Sequence, residues 1–178
     1  MRADAFVHRY DENKIYDVTY YLTPTRWSDN PVNNMHIVAE ENWSAPIKYL
    51  NDTGDDVSDE IKNLPNNIGG IYMFIIKGVS IPFAEFYLAY IGRCKCTDHQ
   101  NIRKRAKEYL AELNKLNPRP KIFNLLKYWK DYLFFRYYPA SDNIFIDRTE
   151  NNLIRAVFPP FNDEIPDKIE FEEPVDAF

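Results

Sequence analysis

Apolar and polar positions change their rhythm along this chain, and the rhythm divides it. Residues 1–65 are polar and acidic, with apolar clusters only at Tyr16–Leu22 and His36–Val38, each a candidate short strand. Asn51–Glu60 packs five acids around a glycine and reads as an exposed turn. Beyond the turn residues Asn63–Asn67, the run Gly70–Lys77 is nearly all β-formers and predicts a buried strand. A connection containing Gly78 and Pro82 leads to Phe86–Ile91, a second strand that stops at Gly92. From Asn101 to Leu116 the period becomes helical: Ile102, Ala106, Tyr109, Leu110 and Leu113 fall on one stripe. Pro118 and Pro120 end that helix, and Ile122, Leu125, Leu126 and Trp129 predict another. Tyr132–Tyr138 predicts a third strand ending at Pro139. Asn143–Val157 predicts a third helix, with Ile146, Leu153, Ile154 and Val157 inward and Pro159-Pro160 after it. The order β-β-α-α-β-α implies a small α+β domain built on a three-stranded antiparallel sheet with flanking helices.

Composition narrows the class. At 178 residues, 45% hydrophobic and 16% aromatic, the chain has enough apolar surface for one core. Its two cysteines, Cys94 and Cys96, are too close in sequence for a disulfide framework and suit a reducing compartment. The N-terminal residues lack the apolar core of a signal peptide, and the longest apolar run, Ile68–Ile76, is too short for a bilayer. These features read as a soluble, cytoplasmic protein without a membrane partner.

The net charge of −5 argues against a polyanionic ligand, but its distribution argues for one. Residues 1–65 carry −6, residues 66–92 are neutral, residues 93–139 carry +8 and residues 140–178 carry −7. The basic middle segment suits phosphate contacts through Arg93, Lys95, Arg103, Lys104 and Lys107. A solvated helix face explains the same lysines without any ligand. Cys94, Cys96 and His99 offer three soft ligands in one loop, but the fourth is missing unless His8 or His36 reaches it, so a free-thiol loop is the simpler reading.

Four of the five glycines lie between residues 69 and 92. Gly70-Ile71-Tyr72 opens the first predicted strand and Tyr90-Ile91-Gly92 closes the second. Here the chain resembles the GIY-YIG nuclease superfamily, which is named for these two tripeptides. The resemblance continues in Lys104-Arg105-Ala106-Lys107-Glu108-Tyr109, where positions i and i+4 put Arg105 and Tyr109 on one helix face. It ends in Glu150-Asn-Asn-Leu-Ile-Arg155 and Pro159-Pro-Phe-Asn162, which look like the version in excision-repair incision nucleases. It covers residues 62–163, leaving an N-terminal extension (1–61) and an acidic C-terminal tail (164–178). Two connections are longer than the compact family pattern: the one between the tripeptides, and the stretch from Gly92 to Arg105. The second leaves Arg103 as a rival to Arg105, and the spacing to Tyr109 favours Arg105.

The resemblance implies a DNA endonuclease, with double-stranded DNA as the expected partner and Mg²⁺ (or Mn²⁺) as cofactor. It implies that Glu150 holds the metal, that Arg105 stabilises the phosphate and that Tyr72 is the base, with Tyr90 and Tyr109 ordering water and phosphate. Asn162 would orient the substrate or a neighbouring group. These side chains suit the reaction. A guanidinium meets negative charge on non-bridging oxygens, and a hard cation needs only one carboxylate beside phosphate and water. A phenol is a poor base unless its anion is stabilised, a service expected of a nearby arginine. One such site cuts one strand, so double-strand cleavage would call for a homodimer. Two other classes remain open. One is a nucleic-acid-binding or protein-interaction module that keeps the motif without turnover. The other is an acidic inhibitor or DNA mimic.

Overall fold

The computed structural model describes residues 35–78 and 86–162. The candidate strand at Tyr16–Leu22 and the acidic tail lie outside the described residues. The elements are α1 (Met35–Val38), β1 (Ile47–Lys48), α2 (Asp59–Lys62), β2 (Gly69–Ile76) and β3 (Tyr87–Cys94). There follow α3 (Ile102–Glu108), α4 (Pro120–Trp129), β4 (Leu133–Ala140) and α5 (Asn143–Val157). Short 3₁₀ turns occupy Glu40–Asn42, Leu110–Asn114 and Lys130–Tyr132. The protein is α+β, and no described helix is long and apolar enough to cross a membrane.

The sheet is antiparallel in the order β1-β4-β2-β3, so it has four strands rather than the three expected. The added strand comes from the N-terminal extension, where Ile47 and Lys48 pair with Phe135 and Phe134. A two-residue strand leaves too short an alternation to read from sequence. Tyr49 fixes it: its ring is fully buried against Phe74, with centroids 5.0 Å apart, and its hydroxyl donates to the Ala106 carbonyl at 2.8 Å. Residues 36–38, expected as a strand, instead belong to helix α1, where Ile37 is buried and Trp43 Nε1 donates to the Ile37 carbonyl. The acidic turn largely holds, with Asp59 and Glu60 opening α2 behind an N-cap at Ser58.

Strand alternation divides the core between two faces. Tyr72, Phe74, Leu133 and Phe135 face α2, α3 and α4, while Ile71 and Ile91 face Ile37 and Ile154 of α1 and α5. The helical stripe from Asn101 breaks after Glu108 into the Leu110–Asn114 3₁₀ turn, yet Ile102, Ala106 and Tyr109 are all buried. Helix α5 has the expected bounds. Asp142 caps its N-terminus through the amides of Ile144 and Phe145, and Phe158 ends it with a left-handed φ of 50°.

Candidate active site

Antiparallel pairing sets Tyr72 opposite Gly92 and Phe74 opposite Tyr90, so both motif tyrosines face the α3 layer. Gly92 creates the seat for Tyr72. A Cβ there would lie 2.5 Å from the phenol oxygen and 2.6 Å from Cζ, so the ring crosses the space a side chain would fill. Gly70 meets a backbone need instead: its φ is +146°, and a Cβ would lie 2.0 Å from the Tyr138 carbonyl oxygen.

Helix α3 brings the other groups. Its N-cap Asn101 accepts from the Lys104 amide, and one turn later Arg105 and Tyr109 point at the sheet. The hydroxyls of Tyr72 and Tyr109 are 2.5 Å apart, and Tyr109 donates to the Tyr90 hydroxyl at 3.1 Å. Arg105 Nε donates to the Tyr72 hydroxyl at 3.1 Å, while its Nη1 is paired with Glu108 at 3.0 Å. Arg103, the rival, donates instead to the Leu64 carbonyl. Three phenols and one guanidinium therefore form a continuous hydrogen-bonded chain.

Burial grades this chain. Tyr72 and Tyr109 are completely buried, and Tyr90 is the tyrosine that lines the adjoining hollow of about 710 Å³. Burial raises the pKa of Tyr72, and the neighbouring Tyr90 raises it further. Arg105 and the Tyr109 hydrogen bond oppose this without overcoming it. Arg105 thus acts on Tyr72 in the expected direction, but desolvation outweighs it and the net shift is upward. Tyr90 and Tyr109 are raised as well, chiefly by burial.

The other wall of the hollow comes from the opposite side of the sheet. β3 is an edge strand, and Glu150 on α5 reaches the hollow beside it together with Arg93, Lys95, Arg105 and Asn162. Glu150 Oε2 accepts from Arg93 Nη1 at 2.5 Å, and its side chain is 12% exposed. Burial pushes the Glu150 carboxyl above its ordinary range, and Arg93 opposes that shift. Arg93 Nε also lies 3.0 Å from Asp147, one turn before Glu150, and Lys95 lies 2.7 Å from the same carboxylate. Arg93 and Lys95 are therefore already paired, whereas Lys104 reaches the His99 carbonyl at 2.8 Å and Lys107 is exposed. Asn162 spans the edge of β3: its amide donates to the Ile91 carbonyl at 2.8 Å and its oxygen accepts from the Ile91 amide at 3.0 Å. It completes an otherwise open ladder while lining the hollow.

The donor set fits a hard divalent cation in one respect. Glu150 Oε1 has no hydrogen-bond partner among the described residues, and a carboxylate oxygen beside a polar hollow suits Mg²⁺. No group of three or more His, Cys, Asp or Glu capable of holding a metal occurs among the described residues, so phosphate and water would supply the remaining ligands. Cys94 and Cys96 are free thiols, and burial pushes Cys94 up to about 12.

Sequence reasoning missed Glu108 and Asp147. They stand three residues from Arg105 and Glu150, a spacing that puts side chains on one helix face and could have flagged them. No family model matches the chain, and neither a curated protein nor a solved structure matches it.

Proposed function

We propose that the chain is a divalent-metal-dependent endonuclease of the GIY-YIG type that hydrolyses phosphodiester bonds in DNA. One observation carries this reading. The hydroxyl chain of Tyr72, Tyr109 and Tyr90, held by Arg105, opens through Tyr90 on one hollow that a carboxylate from the opposite layer, Glu150, also lines, and that hollow is large enough for a phosphodiester.

In the proposed reaction a non-bridging phosphate oxygen is held by Arg105, whose Nη2 has no partner among the described residues. Water attacks the phosphorus from the side of Tyr90, the phenol that reaches the hollow. The hydroxyl chain first loses one proton to solvent, leaving a phenolate whose charge Arg105 stabilises; the water's proton then enters at Tyr90 and returns Tyr90, Tyr109 and Tyr72 to neutral phenols. Glu150 would hold the metal, which supplies Lewis acidity for the leaving oxygen. Arg93 engages only Oε2 of Glu150, which leaves Oε1 to the metal. Asn162 keeps the β3 edge in place beneath the site.

The Arg93–Glu150 pair itself favours a second reading, a nucleic-acid-binding module without turnover, because a guanidinium already neutralises the carboxylate that would hold the metal. Supercoiled plasmid incubated with Mg²⁺ or Mn²⁺ separates the two. Nicking by wild type that Glu150→Ala and Arg105→Ala both lack supports the nuclease. Salt-sensitive DNA retention without cleavage of DNA or RNA supports the module.

A further inference from the structure

A second hollow of about 430 Å³ adjoins the first, and Arg105 lines both. Its far wall is the segment between the Leu110–Asn114 turn and α4, which brings Lys115, Asn117 and Arg119 to the surface. Glu112 organises this segment. Its carboxylate is 3% exposed and binds Lys115 Nζ at 2.7 Å, Arg119 Nε at 3.0 Å and the Arg119 amide at 3.0 Å. A buried carboxylate with three donors fixes a loop that would otherwise wander.

That anchorage uses only one edge of the Arg119 guanidinium. Its terminal nitrogens have no partner among the described residues, although the side chain is 37% exposed beside the hollow. Arg119 lies over the Tyr109 ring at 5.0 Å and Arg105 lies over the same ring at 5.1 Å. The two cations are thus within about 10 Å of each other, a span that one to three nucleotides cover at about 3.4 Å of axis each. A loop anchor alone would not need a guanidinium poised over a site tyrosine with its fork open.

We infer that Arg119, with Lys115 and Asn117, forms a second phosphate subsite that grips the DNA backbone at a nucleotide next to the one held by Arg105. This rests on the proposed DNA substrate. Arg119 is a positioning residue here: it sets the register of the strand and does not touch the reacting phosphate.

The test is equilibrium binding to a fluorescein-labelled DNA duplex by anisotropy, in EDTA to prevent cleavage, over a range of salt concentrations. Arg119→Gln keeps a donor for Glu112 and removes the charge. Lys115→Gln does the same at a side chain that is 52% exposed. Each should flatten the slope of log K against log salt by about 0.9 and weaken binding about 3- to 10-fold. Lys48→Gln, at the far edge of the sheet and paired with Asp52, should leave the slope unchanged. A wild-type slope in both Arg119→Gln and Lys115→Gln overturns the subsite even if the plasmid is nicked. A flattened slope without nicking by wild type keeps the subsite and removes the hydrolytic reading. Failure of wild type to bind the duplex removes both. If Arg119→Gln does not fold, Lys115→Gln alone decides.

Discussion

Gly92→Ala gives a sharp test of how the two tripeptides meet. By general rules the substitution should help, since glycine inside a strand costs about 0.5–1 kcal/mol relative to alanine and the backbone here is not left-handed. The structure reverses the sign. The new methyl would lie 2.5, 2.6 and 2.7 Å from the oxygen, Cζ and Cε2 of Tyr72, so the ring must retreat by roughly 0.7–0.9 Å to reach ordinary contact. It has nowhere to go. Tyr72 is fully buried, stacked on Phe135 at 5.4 Å and set edge-on to Tyr109 at 5.9 Å. Overpacking of this kind costs about 2–3 kcal/mol. With an m-value of about 1–3 kcal/mol/M the urea midpoint should fall by roughly 1 M or more, followed by tyrosine and tryptophan fluorescence. Tyr72→Ala removes the obstructed ring, so a double-mutant cycle with Gly92→Ala should show coupling of about 2 kcal/mol. Plasmid nicking should drop about 100-fold in Gly92→Ala, because the 3.1 Å bond from Arg105 cannot survive the shift. Stability within about 0.5 kcal/mol of wild type, or costs that simply add, would refute the packing argument.

Three further outcomes follow from the same geometry. Tyr72→Phe keeps the ring but breaks the hydroxyl chain. It should cost about 1 kcal/mol in urea unfolding and lower nicking about 10²- to 10⁴-fold, and full activity would take Tyr72 out of water activation. Asn162→Ala opens the β3 edge, so the Ile91 amide should lose protection in hydrogen-exchange NMR while amides at the centre of β2 keep theirs. Burial would raise the Glu112 pKa, but Lys115, the Arg119 amide and the Arg119 guanidinium outweigh it and hold the carboxyl below 4.5. A depressed folded pKa means that the unfolded chain binds more protons in that window. The stability from Glu112 is therefore present above 4.5 and lost as pH falls through the lowered value. The urea midpoint of Glu112→Gln should accordingly fall less between pH 5 and pH 3 than that of wild type, and parallel curves would contradict this.

Most of the scaffold was legible because its signals are local. Runs of β-forming residues marked β2 and β3, and a 3.6-residue period ending before Pro159-Pro160 marked α5. Arg105 and Tyr109 could be set on one face by spacing alone. What remained hidden depends on distant groups. Strand β1 exists because Tyr49 finds a pocket beside Phe74, and His36–Val38 is helical where isolated hydrophobicity suggested a strand. Packing of this kind leaves no periodic trace in so short a segment.

The chemistry divides in the same way. The identities of the phenols, the guanidinium and the carboxylate, and the glycines that let them approach, are written in the chain. Their states are not. Complete burial raises the Tyr72 pKa against the pull of Arg105, Glu150 is engaged by Arg93 across the edge of β3, and Arg119 stands over Tyr109 because a buried Glu112 turns it there. Residue type fixes what a side chain can donate or accept, whereas desolvation and charge pairing act through space between segments far apart in sequence.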